Sequence, residues 1–219
     1  IIHLMVAGRL HWSSEPPALK AKNRIAALDF EHGSILLTES GTKKRASLSI
    51  AKGEDGLAEH DPGGLEPLEI DWQTFAETLR RENHTLKRAL TDPRLLSGIG
   101  NAFSDEILLE AKLSPIKLTQ KLTDEEIDRL YEVSQRSLVQ WTELLETQRA
   151  GKFPEKVTAF RPEMGAHGKY GEPCPQCGTK IQRIKYSSNE TDYCPTCQTG
   201  GKLLADRAMS RLLKKDWPK

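Results

Sequence analysis

Every cysteine in the chain belongs to one of two pairs, Cys174-x-x-Cys177 and Cys194-x-x-Cys197, with 16 residues between them. Four thiolates in two tight pairs are the donor set that tetrahedral zinc takes, and the Pro or Gly beside each pair suits the knuckle turns of a zinc ribbon. The site expected is therefore structural: one Zn2+ held by four sulfurs, with no position open to water or substrate. Two disulfides would instead suit a secreted protein, and no basic-then-apolar leader opens the sequence. Between the pairs runs "GTKIQRIKYSSNETDY", in which Arg183 and Lys185 alternate with Ile181, Ile184 and Tyr186. One strand of a metal-pinned hairpin can thus present cations to a nucleic-acid backbone. A protein-binding ribbon would show the same pattern.

A second stretch with chemical potential is "SGIGNAFSDE", Ser97–Glu106. Asn101 is placed to cap a helix beginning at Ala102, and Gly98 and Gly100 leave the backbone N–H groups before it uncovered by any Cβ. A bare helix start, with unpaired N–H groups and the positive end of the dipole, is a site for an anion. Beside a basic ribbon that anion would be a backbone phosphate. Asp105 and Glu106 would oppose a phosphate while favouring the first turn of the helix. A tight turn with an ordinary cap remains the plainer reading.

Elements that could position these residues can be read from period and punctuation. Residues 1–50 carry short apolar runs ("IIHLMV", "IAALDF", "SILLTE", "ASLSIA") broken by Gly, Ser, Pro or charge, and "FEHGSIL" has the look of a hairpin. Residues 53–70 are rich in Gly, Pro and acid and read as a linker. From Asp71 the period becomes helical: Asp71 caps a helix bearing Trp72, Phe75 and Leu79, and a shorter helix carries Leu86 and Leu90. A third, over about Ala102–Lys112, aligns Phe103, Ile107, Leu108 and Ala111. Thr123 and Glu126 form a capping box for a long helix showing Ile127, Leu130, Val133, Leu138, Trp141 and Leu145.

The 219 residues are 37% apolar, which suits one or two cored domains and excludes a disordered chain. No apolar run reaches the ~20 residues of a membrane helix. A net charge of +1 hides an asymmetry, since residues 151–219 hold 13 basic against 7 acidic side chains. The basic third fits a polyanion-facing surface, or simply a solvated face. A soluble, cytoplasmic protein is expected, without membrane attachment. Residue 1 is Ile, and "IIHLMVAGRLHW" reads like the middle of a sheet, as though numbering began inside a longer protein.

Taken in order, "LLSGIGNAFSDEILLEAKLSP", "GKYGEPCPQCGTKI" and "YCPTCQ" resemble the formamidopyrimidine-DNA glycosylase and endonuclease VIII family: its helix–two-turn–helix element, then its C-terminal zinc finger. "IIHLMVAGRL" is similar to a strand of that family's N-terminal β-sandwich. The resemblance implies an α+β fold: a partial antiparallel β-sandwich over 1–52, the linker, a helix–two-turn–helix domain over 71–150, a loop or lid over 151–173 with Gly151, Gly165 and Gly168 as possible hinges, and a zinc-ribbon hairpin over 174–200. An amphipathic tail over 201–219 would present Leu203, Leu204, Met209, Leu212 and Leu213.

By the same resemblance the full protein would be a bifunctional DNA glycosylase and AP lyase of base excision repair. It would flip an oxidised base out of the duplex and attack the sugar with an N-terminal proline. That proline and its neighbouring glutamate are not in this sequence, so the chain as given is expected to bind damaged or abasic double-stranded DNA, as a monomer, without cutting it. Asn101, with Gly98 and Gly100, matches the phosphate clamp, and His3 matches a backbone-contacting histidine. Val6 stands where a void-filling methionine is usual. Lys43 and Lys44 take the place of paired arginines, and Arg45 that of a wedging phenylalanine. Asn189 replaces the zinc-finger arginine that grips phosphates. A zinc protein that binds nucleic acid without catalysis is the alternative, and a ribbon serving protein assembly would leave Gly98–Asn101 idle.

Overall fold

A computed structural model of the chain describes residues 1–154, 157–186 and 189–205, with 186 and 189 given by their backbone alone. The chain divides into two compact units, Ile1–Asp61 with Leu144–Thr158, and Pro62–Glu143 with the residues from Ala159 onward.

The first unit holds two small antiparallel sheets. Strands β1 (Ile2–His3) and β5 (Ser47–Leu48) pair with each other, while β2 (Gly8–Ser13), β3 (Arg24–Phe30) and β4 (Gly33–Glu39) form a sheet in the order β2-β4-β3. Ile2 and Leu48 from one sheet face Leu10, Leu28, Ile35 and Leu37 from the other across a narrow apolar gap. The hairpin expected at "FEHGSIL" is β3–β4, with Phe30 opposite Gly33. Gly33 has φ +152°, and a Cβ there would lie 2.4 Å from the Trp12 ring, so only glycine lets that ring cross the turn. Two of the expected runs shrink. "IIHLMV" gives strand only at Ile2–His3, because the chain turns back at once: Gly8 N–H donates to Leu4 O at 2.9 Å, and Met5 takes φ +52°. "ASLSIA" pairs only at Ser47–Leu48. Within the expected linker, Gly53–Ala58 form a short helix, α1, which buries nothing.

The second unit is built on helices α2 (Trp72–Arg80), α3 (Leu86–Thr91), α4 (Gly100–Glu110) and, as far as Glu143, α5 (Asp124–Arg149). Asp71 caps α2 by accepting Thr74 N–H at 2.8 Å, and hydrogen bonding from the Thr74 side chain, then from that N–H, holds its carboxyl below the usual carboxylate value. The capping box closes in both directions: Thr123 N–H donates to Glu126 at 3.0 Å, and Glu126 N–H to the Thr123 hydroxyl at 3.3 Å. The helical faces read from the sequence meet in one core, with Phe75, Leu79, Leu86, Leu90, Ile107, Leu108, Ile127 and Leu130 all but fully enclosed. Each such side chain contributes ~1.5–3 kcal/mol on removal from water. Phe103 and Trp141 extend this packing as a tilted aromatic pair with ring centroids 5.6 Å apart. Strands β6 (Gln182–Tyr186) and β7 (Asn189–Tyr193) and the short helix α6 (Pro195–Thr199) complete the unit.

Of the tail, Leu204 N–H donates to the Tyr193 hydroxyl at 2.7 Å, while the remaining positions of the expected amphipathic helix, Met209, Leu212 and Leu213, fall outside the described residues. Among the described residues no helix is long and apolar enough to cross a membrane.

Candidate nucleic-acid interface and metal centre

The two cysteine pairs are held by different local structures. Cys174 and Cys177 lie in a turn in which Gly178 N–H donates to Cys174 O at 2.9 Å and Gly178 takes φ +75°. Cys194 instead caps α6, its sulfur accepting Cys197 N–H at 3.4 Å. Packing brings all four sulfurs within 4.8 Å of one another, with Cys177–Cys194 at 3.4 Å and Cys174–Cys197 at 4.0 Å. A disulfide needs ~2.05 Å. Sulfurs around a tetrahedral zinc with bonds of ~2.3 Å stand about 3.8 Å apart. The spacing fits the metal and not the disulfides. Hydrogen bonds from the Thr179 side chain and backbone bring the Cys177 thiol down to about 6, whereas burial pushes Cys194 and Cys197 upward. A dication at the centre is what would hold such a mixed set together as thiolates.

This cage sits at the base of the β6–β7 hairpin, and there the cations expected to face outward prove to be paired. The register sets Arg183 opposite Asp192 and Lys185 opposite Glu190. Arg183 Nε and Nη2 donate to the two oxygens of buried Asp192 at 2.7 and 2.8 Å, and its Nη1 lies 2.7 Å from Glu190. Lys185, 66% exposed, reaches Glu190 at 3.0 Å. Arg183 is thus an internal brace more than a free charge, and Lys185 is the exposed cation of the strand. Asn189 opens β7, and the role expected of its side chain lies outside the described residues.

At the start of α4, Gly98 and Gly100 both take left-handed φ, +77° and +63°, and open space lies where a Cβ on Gly100 would be. Asn101 is not the cap. The helix begins two residues earlier than expected, at Gly100, and Asn101 lies exposed in its first turn. Freed from capping, its side-chain amide donates to Glu190 O on the ribbon at 3.2 Å. Beneath it Lys87 is bound three ways, to Asn101 O at 2.6 Å, the Ser104 hydroxyl at 2.8 Å and Asp105 at 2.5 Å. Burial draws the Lys87 ammonium below its ordinary pKa, and Asp105 opposes that shift. A groove of about 560 Å³ runs past this point, lined among others by His84, Lys87, Arg88, Asn101, Ile184 and Thr191.

Asp105 and Glu106, expected to repel a phosphate, turn inward instead. Asp105 meets His167 Nδ1 at 2.8 Å, and Glu106 accepts the N–H groups of Gly165, Ala166 and His167 at 2.8–2.9 Å. Asp192 accepts Gly168 N–H at 2.7 Å. Residues 165–168 are therefore bolted to α4 and the ribbon, so Gly165 and Gly168 cannot serve as hinges. Asp105, His167 and Asp192 stand close enough together to hold a metal ion, but Lys87 and Arg183 already neutralise both carboxylates. Sequence reasoning passed over Lys87, Asp105, Glu106, His167 and Asp192 as a joined group. One signal was available, because pairing Tyr186 with Asn189 sets Arg183 against Asp192 and Lys185 against Glu190.

The remaining candidates lie in the first unit. Gly8 pairs with Glu39, so the loops after β1 and after β4 leave the same end of the sheet and bring Val6 and Lys43–Arg45 into one neighbourhood. Val6 is 87% exposed, and His3 stands exposed on β1. Glu39 organises the second loop: its carboxylate accepts the N–H groups of Arg45 and Ala46 at 2.8–3.2 Å, and its carbonyl accepts from Lys44 Nζ.

Residues 64–147 match the formamidopyrimidine-DNA glycosylase H2TH domain, and residues 171–200 match the zinc finger found in FPG and IleRS. An uncharacterized formamidopyrimidine-DNA glycosylase-like protein of Mycobacterium tuberculosis is 38% identical over 152 residues, covering 69% of this chain and 94% of its own length. The formamidopyrimidine-DNA glycosylase of Desulfitobacterium hafniense is 32% identical over 211 residues, covering 90% of this chain and 74% of that enzyme. The match to the Listeria innocua enzyme, at 33% identity, covers 62% of this chain and 51% of the enzyme. Among solved structures, Lactococcus lactis Fpg non-covalently bound to AP-site DNA superposes with a TM-score of 0.74 at 26% identity, over 90% of this chain and 73% of that one. The same protein with FAPY-dG-containing DNA gives 0.76 at 27% identity, over 90% and 74%.

Proposed function

Because this chain belongs to the formamidopyrimidine-DNA glycosylase family, we propose that it binds double-stranded DNA carrying oxidised bases or abasic sites, supplying the lesion-recognition body of a DNA glycosylase with AP lyase activity in base excision repair. The observation that carries this reading is the start of α4. Two left-handed glycines leave it uncovered, Lys87 holds it from below, and Asn101 projects toward the ribbon. Unpaired N–H groups at a helix start, with the positive end of its dipole, suit one phosphate of a DNA strand. The groove beside it gives that strand a path, with Arg88 and His84 on its wall. A single zinc ion in the four-cysteine cage would be structural: it contributes the folding of the ribbon, and all four ligands are protein sulfurs. The protein acts as a cytoplasmic monomer in this reading.

The direct test is Asn101→Ala, with binding to abasic-site duplex read by fluorescence anisotropy. Loss of a hydrogen bond to a charged oxygen should weaken binding by about 1–3 kcal/mol. Unchanged affinity would reduce Asn101 to a brace between α4 and β7.

A second reading, a zinc protein that binds DNA without cutting it, draws on the same bare helix start and cysteine cage, which serve binding in either case. Borohydride trapping on abasic-site DNA separates the two. The 219 residues themselves should trap no adduct, since the α-amine of Ile1 lies beside the β1–β5 strand pair, donating to Ser49 O at 2.8 Å. A chain extended at its N-terminus by the family's proline segment traps one only if the enzyme reading is right.

A further inference from the structure

Asn101, Arg183 and Lys185, three of the side chains that the sequence nominates for phosphate in this unit, all end on one residue. Asn101 donates to the Glu190 carbonyl at 3.2 Å; Arg183 Nη1 lies 2.7 Å from Glu190 Oε2, and Lys185 Nζ 3.0 Å from Glu190 Oε1. Two oxygens sharing one negative charge, gripped by a guanidinium and an ammonium, reproduce what the non-bridging oxygens of a phosphodiester offer. Nor does the hairpin need this grip to stand. Buried Asp192 already holds Arg183 through Nε and Nη2, so Nη1 and the exposed Lys185 ammonium can change partner without disturbing the register. An ion pair as open as Lys185–Glu190 contributes ~0–1 kcal/mol and exchanges readily.

We propose that Glu190 is the chain's own stand-in for a DNA phosphate: its carboxylate fills the ribbon's cationic seat and is exchanged for a backbone phosphate on binding. Residue 190 then sets how tightly, and with what salt dependence, the chain holds DNA. The displaced carboxylate stays beside the incoming phosphate and repels it, so the seat favours DNA whose backbone can be drawn close. This inference rests on the DNA-binding reading above.

The test uses the zinc-loaded 219-residue chain and a labelled duplex with a central tetrahydrofuran abasic analogue, titrated at several salt concentrations. Glu190→Gln keeps an acceptor for Arg183 and leaves the backbone carbonyl for Asn101. It should bind roughly 3- to 10-fold more tightly near 0.1 M salt, and its log affinity should fall more steeply with log salt, by up to about 0.9 in slope. Glu172→Gln, which removes the same charge from a carboxylate paired with Lys169, should change affinity less than 2-fold, as roughly expected for an exposed pair away from the clamp. A folded, zinc-replete Glu190→Gln chain that binds no better than wild type, or no better than the Glu172 variant, overturns the inference while leaving the DNA-binding reading intact. Should that variant not fold, Lys185→Gln decides instead: it must weaken binding and flatten the salt slope, and no change in either overturns the exchange. A wild-type chain that binds no duplex overturns the DNA-binding reading and this inference with it.

Discussion

The two units solve the same problem, holding candidate DNA-contacting side chains in place, with unequal means. In the helical unit Asn101 rides on a helix whose apolar face is enclosed, and that helix is tied to the four-cysteine ribbon by the Asn101–Glu190 hydrogen bond and, through residues 167–168, by Asp105 and Asp192. Among the described residues of the sheet unit only Leu36 and Leu37 are buried apolar side chains, while Ile25, Leu28 and Phe30 on β3 remain exposed. There the loop carrying Lys44 and Arg45 hangs on a single carboxylate, Glu39. One site is determined by packing, the other by one polar hub. The first should be rigid against everything but loss of its metal or core, and the second should fail locally.

The largest expected effect is loss of the cage. Cys194→Ser removes a buried thiolate ligand while leaving a hydroxyl to cap α6, and should abolish tight zinc retention, expose 171–205 to protease and eliminate DNA binding, because metal affinity is folding free energy for a ribbon of this kind. Zinc release by a chromogenic chelator with limited proteolysis reads it. A variant that keeps its zinc and its protease resistance breaks the contrast between the units.

Core truncations sharpen it. Phe75→Ala should lower the unfolding free energy by about 3–5 kcal/mol, whereas Phe30→Ala, 57% exposed in the sheet unit, should cost about 1 kcal/mol or less. Denaturant titration of the two variants side by side reads the difference, and equal losses would mean that the sheet unit is as well cored as the helical one. Smallest in global terms is Glu39→Gln. Withdrawing one charged acceptor from two backbone donors should cost about 1–3 kcal/mol locally and speed amide exchange at Arg45 and Ala46, with the helical unit unchanged.

Features confined to a few neighbouring residues were legible in the sequence: each Cys-x-x-Cys pair, the Asp71 cap, the Thr123–Glu126 box, the β3–β4 hairpin, and the shared face of Ile127, Leu130 and Val133. Turn chemistry, capping and helical period act over three or four positions, so the residue types suffice. What Asn101 does and where Asp105 and Glu106 point were decided only by tertiary packing. Those answers join residues far apart in the chain, 89 positions for Asn101 and Glu190 and 62 for Asp105 and His167. Local pattern carries no information about which carboxylate a folded helix will find across a gap. The charge of each group was readable at once; its partner came into being only when the ribbon closed on α4.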